Sequence, residues 1–192
     1  MAERITPATR KILQKVYKER TQKVIDEGIQ KGTLMQEQDG WHSEAGQRME
    51  EQALLSSKIA VDTAVQLHSS EEMSGPEQNE AVEMGHRVKT NFLDDEEIID
   101  YALKHSIPPT ELVTNVHLLS TIDKQYLTQI LEGIDNITEM VVSDKSPVGK
   151  ALLKAKRNDT IVYGRNMRIK VLNGPDAIEP SPFLKIEIDD GE

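Results

Sequence analysis

From Pro7 onward, apolar residues recur three, four or eight positions apart, at Ile12, Val16, Val24, Ile25 and Ile29, with charged residues between them. That spacing predicts a helix running to about Lys31, interrupted only by Gly28. Thr6-Pro7 provides its start: an N-cap hydroxyl followed by a proline at the first helical position. A second helical segment spans about Ser43 to His68, with a seam of Leu54, Leu55, Ile59 and Val65 or Leu67 and with Ala53, Ala60 and Ala64 beside it. Both stripes are narrow, which suits one partner helix better than a globular core. The segments have similar length and are joined by the polar stretch Gly32 to His42. They predict an antiparallel helical hairpin, a coiled coil, over residues 1–70 with its tip near 32–44.

Periodicity then stops. His68 to Glu80 is rich in Ser, Gly, Pro and Glu, and 71–80 reads as a linker. Beyond it the pattern changes. Val82 to Phe92 alternates as a strand, Leu93 to Glu97 reads as a turn, and Ile98 to Leu103 as a returning strand. Pro108 to about Gly133 reads as helical, with Thr110 as a cap and Leu112, Val113, Val116, Leu119, Ile122, Leu127, Ile130 and Leu131 as its apolar face. Ile137 to Val142 is a strand that runs into Ser146-Pro147-Val148-Gly149-Lys150-Ala151-Leu152-Leu153, a short helix with a serine cap and a proline at its first position. Thr160 to Tyr163 and Met167 to Leu172 form a hairpin around Gly164-Arg165-Asn166, and Phe183 to Ile188 alternates as a last strand. The class is α+β: a helical hairpin followed, over 81–192, by a small β-sheet domain with one short helix.

Composition narrows the function classes. The formal net charge is −10, which excludes general duplex-DNA binding, because phosphate neutralisation needs Lys and Arg. There is no cysteine, hence no disulfide, thiolate metal site or cysteine nucleophile. No apolar run is long enough to span a bilayer, and Met1 to Ile5 lacks the apolar core of a signal peptide. A cytoplasmic protein is expected. No Gly-rich phosphate loop or Ser/His/Asp nucleophile pattern appears. Of the histidines, His68, His86, His105 and His117 are scattered without ligand spacing, and His42 falls at the hairpin tip.

Four motifs, in order along the chain, resemble the GreA/GreB family of bacterial transcript-cleavage factors. Ile5-Thr6-Pro7 is similar to the start of the family's first coil helix. Glu50-Glu51-Gln52-Ala53-Leu54-Leu55-Ser56-Ser57-Lys58-Ile59 resembles its second. Val82-Glu83-Met84-Gly85-His86-Arg87-Val88 is similar to the strand that opens the family's C-terminal domain. The Ser146 to Leu153 run resembles the family's S-P-x-G-[KR]-A-L-[LI] motif, with Asp159 in the place of a downstream Asp. Two departures stand out. Lys104 to about Asp135 has no counterpart and reads as a helical insertion, about 105–135. The tip, Gly32 to Glu44, is longer than the family's acidic run and carries Thr33 where the first acid belongs.

The resemblance implies an FKBP-like C-terminal domain that docks on RNA polymerase. It implies a coil that enters the polymerase's secondary channel, where tip carboxylates help hold a Mg²⁺ that activates water to cut backtracked RNA near its 3′ end. Mg²⁺ is often held by only one or two protein carboxylates, and a two-metal pair stabilises both attacking and leaving oxygens. On this reading the chain stimulates the polymerase's own cleavage and is not itself an enzyme. Glu37, Asp39 and Glu44 are the tip carboxylates, with Glu37 and Asp39 the candidate metal ligands. They read equally well as solvated loop acids. Trp41, the only tryptophan, is a candidate partner contact or a packing residue of the tip. Arg10, Lys11, Lys15 and Lys18 form a basic face toward a partner or simply a solvated helix face. Ser146, Pro147 and Lys150 mark the docking domain. Neither membrane association nor sequence-specific DNA binding is implied. A regulator that occupies the same channel without promoting cleavage, and a coil-plus-FKBP-like module with another partner, are the competing readings.

Overall fold

A computed structural model describes residues 2–36, 44–76, 81–130, 136–174 and 176–186, without the side chains of 32–36, 44–46 and 129–130. It divides into two compact units, one built on Arg10–Glu71, the other on Glu3–Thr9 together with the chain from Glu72 onward.

The first unit is two long helices, α1 (Pro7–Gln36) and α2 (Glu44–Ser69), the latter running into a short extended stretch, β2 (Ser70–Glu72). The first turn of α1 packs with the second unit; the rest belongs to the first. Arg10 Nη1 donates to the Ser70 carbonyl at 3.5 Å, Ser56 Oγ to Glu27 Oε1 at 3.5 Å, and Lys31 Nζ pairs with Glu50 at 3.3 Å. Contact positions rise along one helix as they fall along the other, so the two run antiparallel.

The seam between them keeps part of what hydrophobic spacing predicts: Ile12, Val16, Val24, Ile59 and Leu67 are buried or half-buried. Buried or half-buried positions on α2 and just past its end include Ala53, Ser56, Ala60, Thr63, Leu67 and Ser70, spaced alternately three and four apart. On α1 they include Leu13, Val16, Arg20, Val24, Glu27 and Lys31. The alanines lie in the seam, as their size allows, whereas Leu54, Leu55 and Val65 are exposed, as are Ile25 and Ile29 on α1. Small and polar side chains share the buried face with Leu13, Val16, Val24 and Leu67, while Leu54, Leu55, Val65, Ile25 and Ile29 point away.

The second unit begins with β1 (Glu3–Ile5) and is dominated by a six-stranded sheet: β3 (His86–Phe92), β4 (Thr114–Leu119), β5 (Glu139–Ser143), β6 (Thr160–Tyr163), β7 (Met167–Val171) and β8 (Ile178–Pro180). The order is β5-β4-β3-β7-β6, with β8 also pairing β3. One side of β3 is lined by β4; the other is shared end to end by β7, along Thr90–Phe92, and β8, along His86–Val88. The predicted hairpin around Gly164 is β6–β7.

Two expected elements are replaced. Ile98 to Leu103 is not a returning strand but part of α3 (Glu96–Lys104). Asp95 caps it by accepting the Ile98 N–H at 3.3 Å, Glu96 and Glu97 sit favourably in the first turn, and Ile98 and Ala102 form its buried face. Phe183 to Lys185 is not a strand but part of a 3₁₀ turn, Pro182–Lys185, started by the same device as α1: Ser181 accepts the Phe183 N–H and proline follows it.

The largest correction falls on 105–135. It is not a helical insertion: it carries β4 in the sheet interior and α4 (Thr121–Ile130). β4 pairs antiparallel with β3 and parallel with β5. Parallel neighbours need a crossover connection, and α4 provides it. β4 is almost entirely buried, with Asn115 alone half-buried, so its polar residues lie inside the domain with its apolar ones. Val116 and Leu118 face a core with Val88, Phe92, Ile98, Leu112, Val142, Leu152, Ile169, Val171 and Ile178, while His117 falls on the opposite face.

Candidate functional site

The Ser146 segment has the local structure its sequence requires. β5 ends at Ser143, and α5 (Pro147–Leu152) starts four residues later. Ser146 Oγ accepts the Gly149 N–H at 3.0 Å and donates to the Ser143 carbonyl at 2.6 Å, with Pro147 in the first turn. Gly149 is buried against the Ser143 backbone; a Cβ there would overlap that carbonyl, lying 2.8 Å from its carbon. The glycine therefore lets the helix lie on the strand end. Pro147 and Lys150 are exposed. Asp159 accepts the Lys156 N–H at 2.8 Å and closes the turn before β6. In the Val82 motif, Gly85 has φ +91° with Met73 and Pro76 each 2.9 Å from where a Cβ would sit. The motif residues thus serve local geometry, and the surface they leave is Pro147 and Lys150.

On α1, Lys11, Lys15, Lys18 and Lys23 lie with Glu19 and Asp26 along one shallow concave strip. Arg10 is half-buried and directed to the Ser70 carbonyl rather than outward. Lys23 pairs with Glu27 at 3.7 Å and Gln22 with Asp26 at 2.9 Å, so part of this face is balanced within the helix. The tip positions Glu37, Asp39 and Trp41 lie outside the described residues; Glu44 opens α2, but its side chain does too. The two candidate Mg²⁺ ligands are therefore not brought together by anything described, and no chemical step is derived through the ion. Among the described residues no cluster of three or more His, Asp or Glu could hold a metal. No described helix is long and apolar enough to cross a membrane.

Sequence spacing did not reveal a polar row across the second unit's sheet. Glu179 on β8 pairs with Arg87 on β3; Arg87 stands opposite His117 on β4; His117 Nε2 contacts Glu139 on β5. Glu139 also accepts from Asn115 Nδ2 at 2.9 Å. The other ring nitrogen, Nδ1, lies 2.8 Å from Ser181 Oγ, and the Phe183 ring stacks 4.4 Å from the imidazole. Burial holds the His117 pKa below its ordinary 6.5, with Glu139 opposing and Arg87 adding to the shift. The neutral ring then donates from Nε2 to Glu139 and accepts at Nδ1 from Ser181. This Ser-His-Glu line has the composition of a nucleophilic triad, but Ser181 is 1% exposed and caps the 3₁₀ turn, so no substrate reaches it. Its role is to fasten the segment after β8 to the sheet. The only sequence signal was the Ser181-Pro182 cap.

No protein-family model matches the chain, and no curated protein matches it. Solved structures similar to it at low level include the following three. The transcription factor Gfh1 is 15% identical, with 90% of this chain and 97% of that one covered and a TM-score of 0.38. GreA factor homolog 1 (Gfh1) of Thermus thermophilus is 15% identical over 93% and 99%, at 0.37. Thermus aquaticus Gfh1 is 16% identical over 90% and 99%, also at 0.37.

Proposed function

We propose that this chain is an RNA polymerase-binding transcription factor of the GreA/GreB kind, whose long helical hairpin enters the secondary channel and whose FKBP-like β-sheet domain docks on the enzyme's surface. One observation carries the reading. The S-P-x-G-K-A-L-L motif occurs in the context that gives it meaning: a strand end, a serine cap and a glycine seated on the strand backbone. It belongs to an α+β unit that follows two long antiparallel helices. In its finer form the proposal is that tip carboxylates Glu37 and Asp39 support Mg²⁺-dependent cleavage of backtracked RNA by the polymerase. Thr33, standing where the resembled motif has an acid, favours the second reading: a channel-binding regulator without cleavage activity.

Stalled elongation complexes in Mg²⁺ buffer separate the two. Cleavage of the RNA 3′ end that is lost in Glu37→Ala or Asp39→Ala supports the first. Binding to polymerase with slowed elongation and no cleavage replaces it with the second. Absence of any polymerase binding removes both.

A further inference from the structure

α2 carries two seams. The inner one, Ala53 to Ser70, faces α1. The outer one is Glu51, Leu54, Lys58, Val61, Val65 and His68, again alternately three and four apart and on the opposite side of the helix. It holds Leu54, Val61 and Val65, and they are bare: Leu54 is 67% exposed, Val61 61% and Val65 60%. A seam with this repeat buries its apolar residues by receiving one more helix.

We infer that the outer seam of α2 is a self-association surface on which a second copy of the same helix lies antiparallel. The charge pattern selects this occupant and this direction. Antiparallel pairing about the middle of the seam sets Leu54 against Val65 of the copy, Glu51 against His68, and Lys58 against Val61 with the copy's Asp62 one residue away. Every layer is then apolar, or brings an acid toward a base. A parallel copy would place Glu51 beside Glu51 and Lys58 beside Lys58, and like charges in contact are unfavourable. With three apolar positions per helix the contact falls at the small end of specific interfaces, under about 1,200 Å², so the dimer is weak and concentration-dependent.

The absence of cysteine makes the test direct. In Leu54→Cys/Val65→Cys, mild oxidation with copper phenanthroline forms intermolecular disulfides, because the two positions meet across the pair. Within one helix they are about 16 Å apart and cannot bridge. Leu54→Cys alone does not cross-link in an antiparallel pair, and does in a parallel one. Sedimentation of the unaltered chain from about 5 to 500 μM shows a monomer–dimer equilibrium. Leu54→Glu, at an exposed site, shifts it at least tenfold toward monomer without changing helical circular dichroism. Cross-linking by Leu54→Cys alone overturns the antiparallel assignment. Monomer throughout that range, with no cross-link in the double variant, overturns the proposal and leaves the seam to a helix of another protein.

Discussion

Asp123 accepts both the backbone N–H of Thr6, at 2.8 Å, and its hydroxyl, at 2.9 Å, across a separation of 117 residues. The same carboxylate takes the Ser120 N–H at 3.2 Å and its hydroxyl at 2.9 Å, so one fully buried acid braces Ser120, which caps α4, and anchors the residue that caps α1. Glu3 adds a peripheral clasp, accepting from Thr121 N–H and Lys145. Asp123→Ala leaves several buried donors without acceptors, and should cost about 3 kcal/mol in urea unfolding. Glu3→Ala, which breaks only exposed contacts, should cost well under 1 kcal/mol. Equal effects from the two would refute Asp123 as the anchor.

Gly149→Ala tests propensity against packing. Helix propensity alone favours alanine over glycine by about 1 kcal/mol. The methyl, however, would overlap the Ser143 carbonyl. Destabilisation by about 2 kcal/mol, read as a lowered unfolding midpoint, is expected. A stabilised variant would show that α5 does not rest on the end of β5.

His117 gives a pH dependence whose sign follows from its depressed pKa. The unfolded chain takes up a proton near pH 6.5, whereas the folded chain resists until lower pH. Over that window the unfolded state binds more protons. The contribution is thus fully present above about pH 6.5 and is lost as pH falls toward the folded value. Unfolding midpoints followed from pH 7.5 to 5 should fall more steeply for the unaltered chain than for His117→Gln. Parallel curves would contradict a neutral, buried imidazole.

Deletion of 105–135 separates an appended segment from a structural one. Losing β4 leaves β5 without the strand it pairs with and opens the core around Val116 and Leu118. The second unit should lose cooperative unfolding and amide dispersion in NMR spectra. Leu118→Ala should show the same dependence in milder form, about 3 kcal/mol. A well-folded deletion variant would restore the insertion reading.

How much was legible varied by element. Thr6-Pro7 and Ser146-Pro147 announced their helices because a hydroxyl cap and a proline act within one turn. Ser181-Pro182 uses the same chemistry, but the alternation of Phe183 to Ile188 reads as a strand and masks it. At α3, Asp95-Glu96-Glu97 is a cap with a favourably charged first turn, but five apolar or aromatic residues in the next six mask its period. β4 is masked differently: Asn115, Val116, His117 and Leu118 do alternate, but Leu112, Val113, Val116 and Leu119 also fall at helical spacing.

The sequence by itself determined the starts of α1 and α5, the β6–β7 hairpin and the α+β class, because caps, turns and one-sided burial depend on neighbours a few residues away. Tertiary structure decided which face of α2 meets α1, that β4 lies inside the sheet, and that His117 joins Ser181 to Glu139. Each depends on partners brought together from distant parts of the chain: Glu27 against Ser56, β4 between β3 and β5, Ser181 across 64 residues from His117. Local spacing records that a residue is apolar or polar; only packing selects the surface against which it is used.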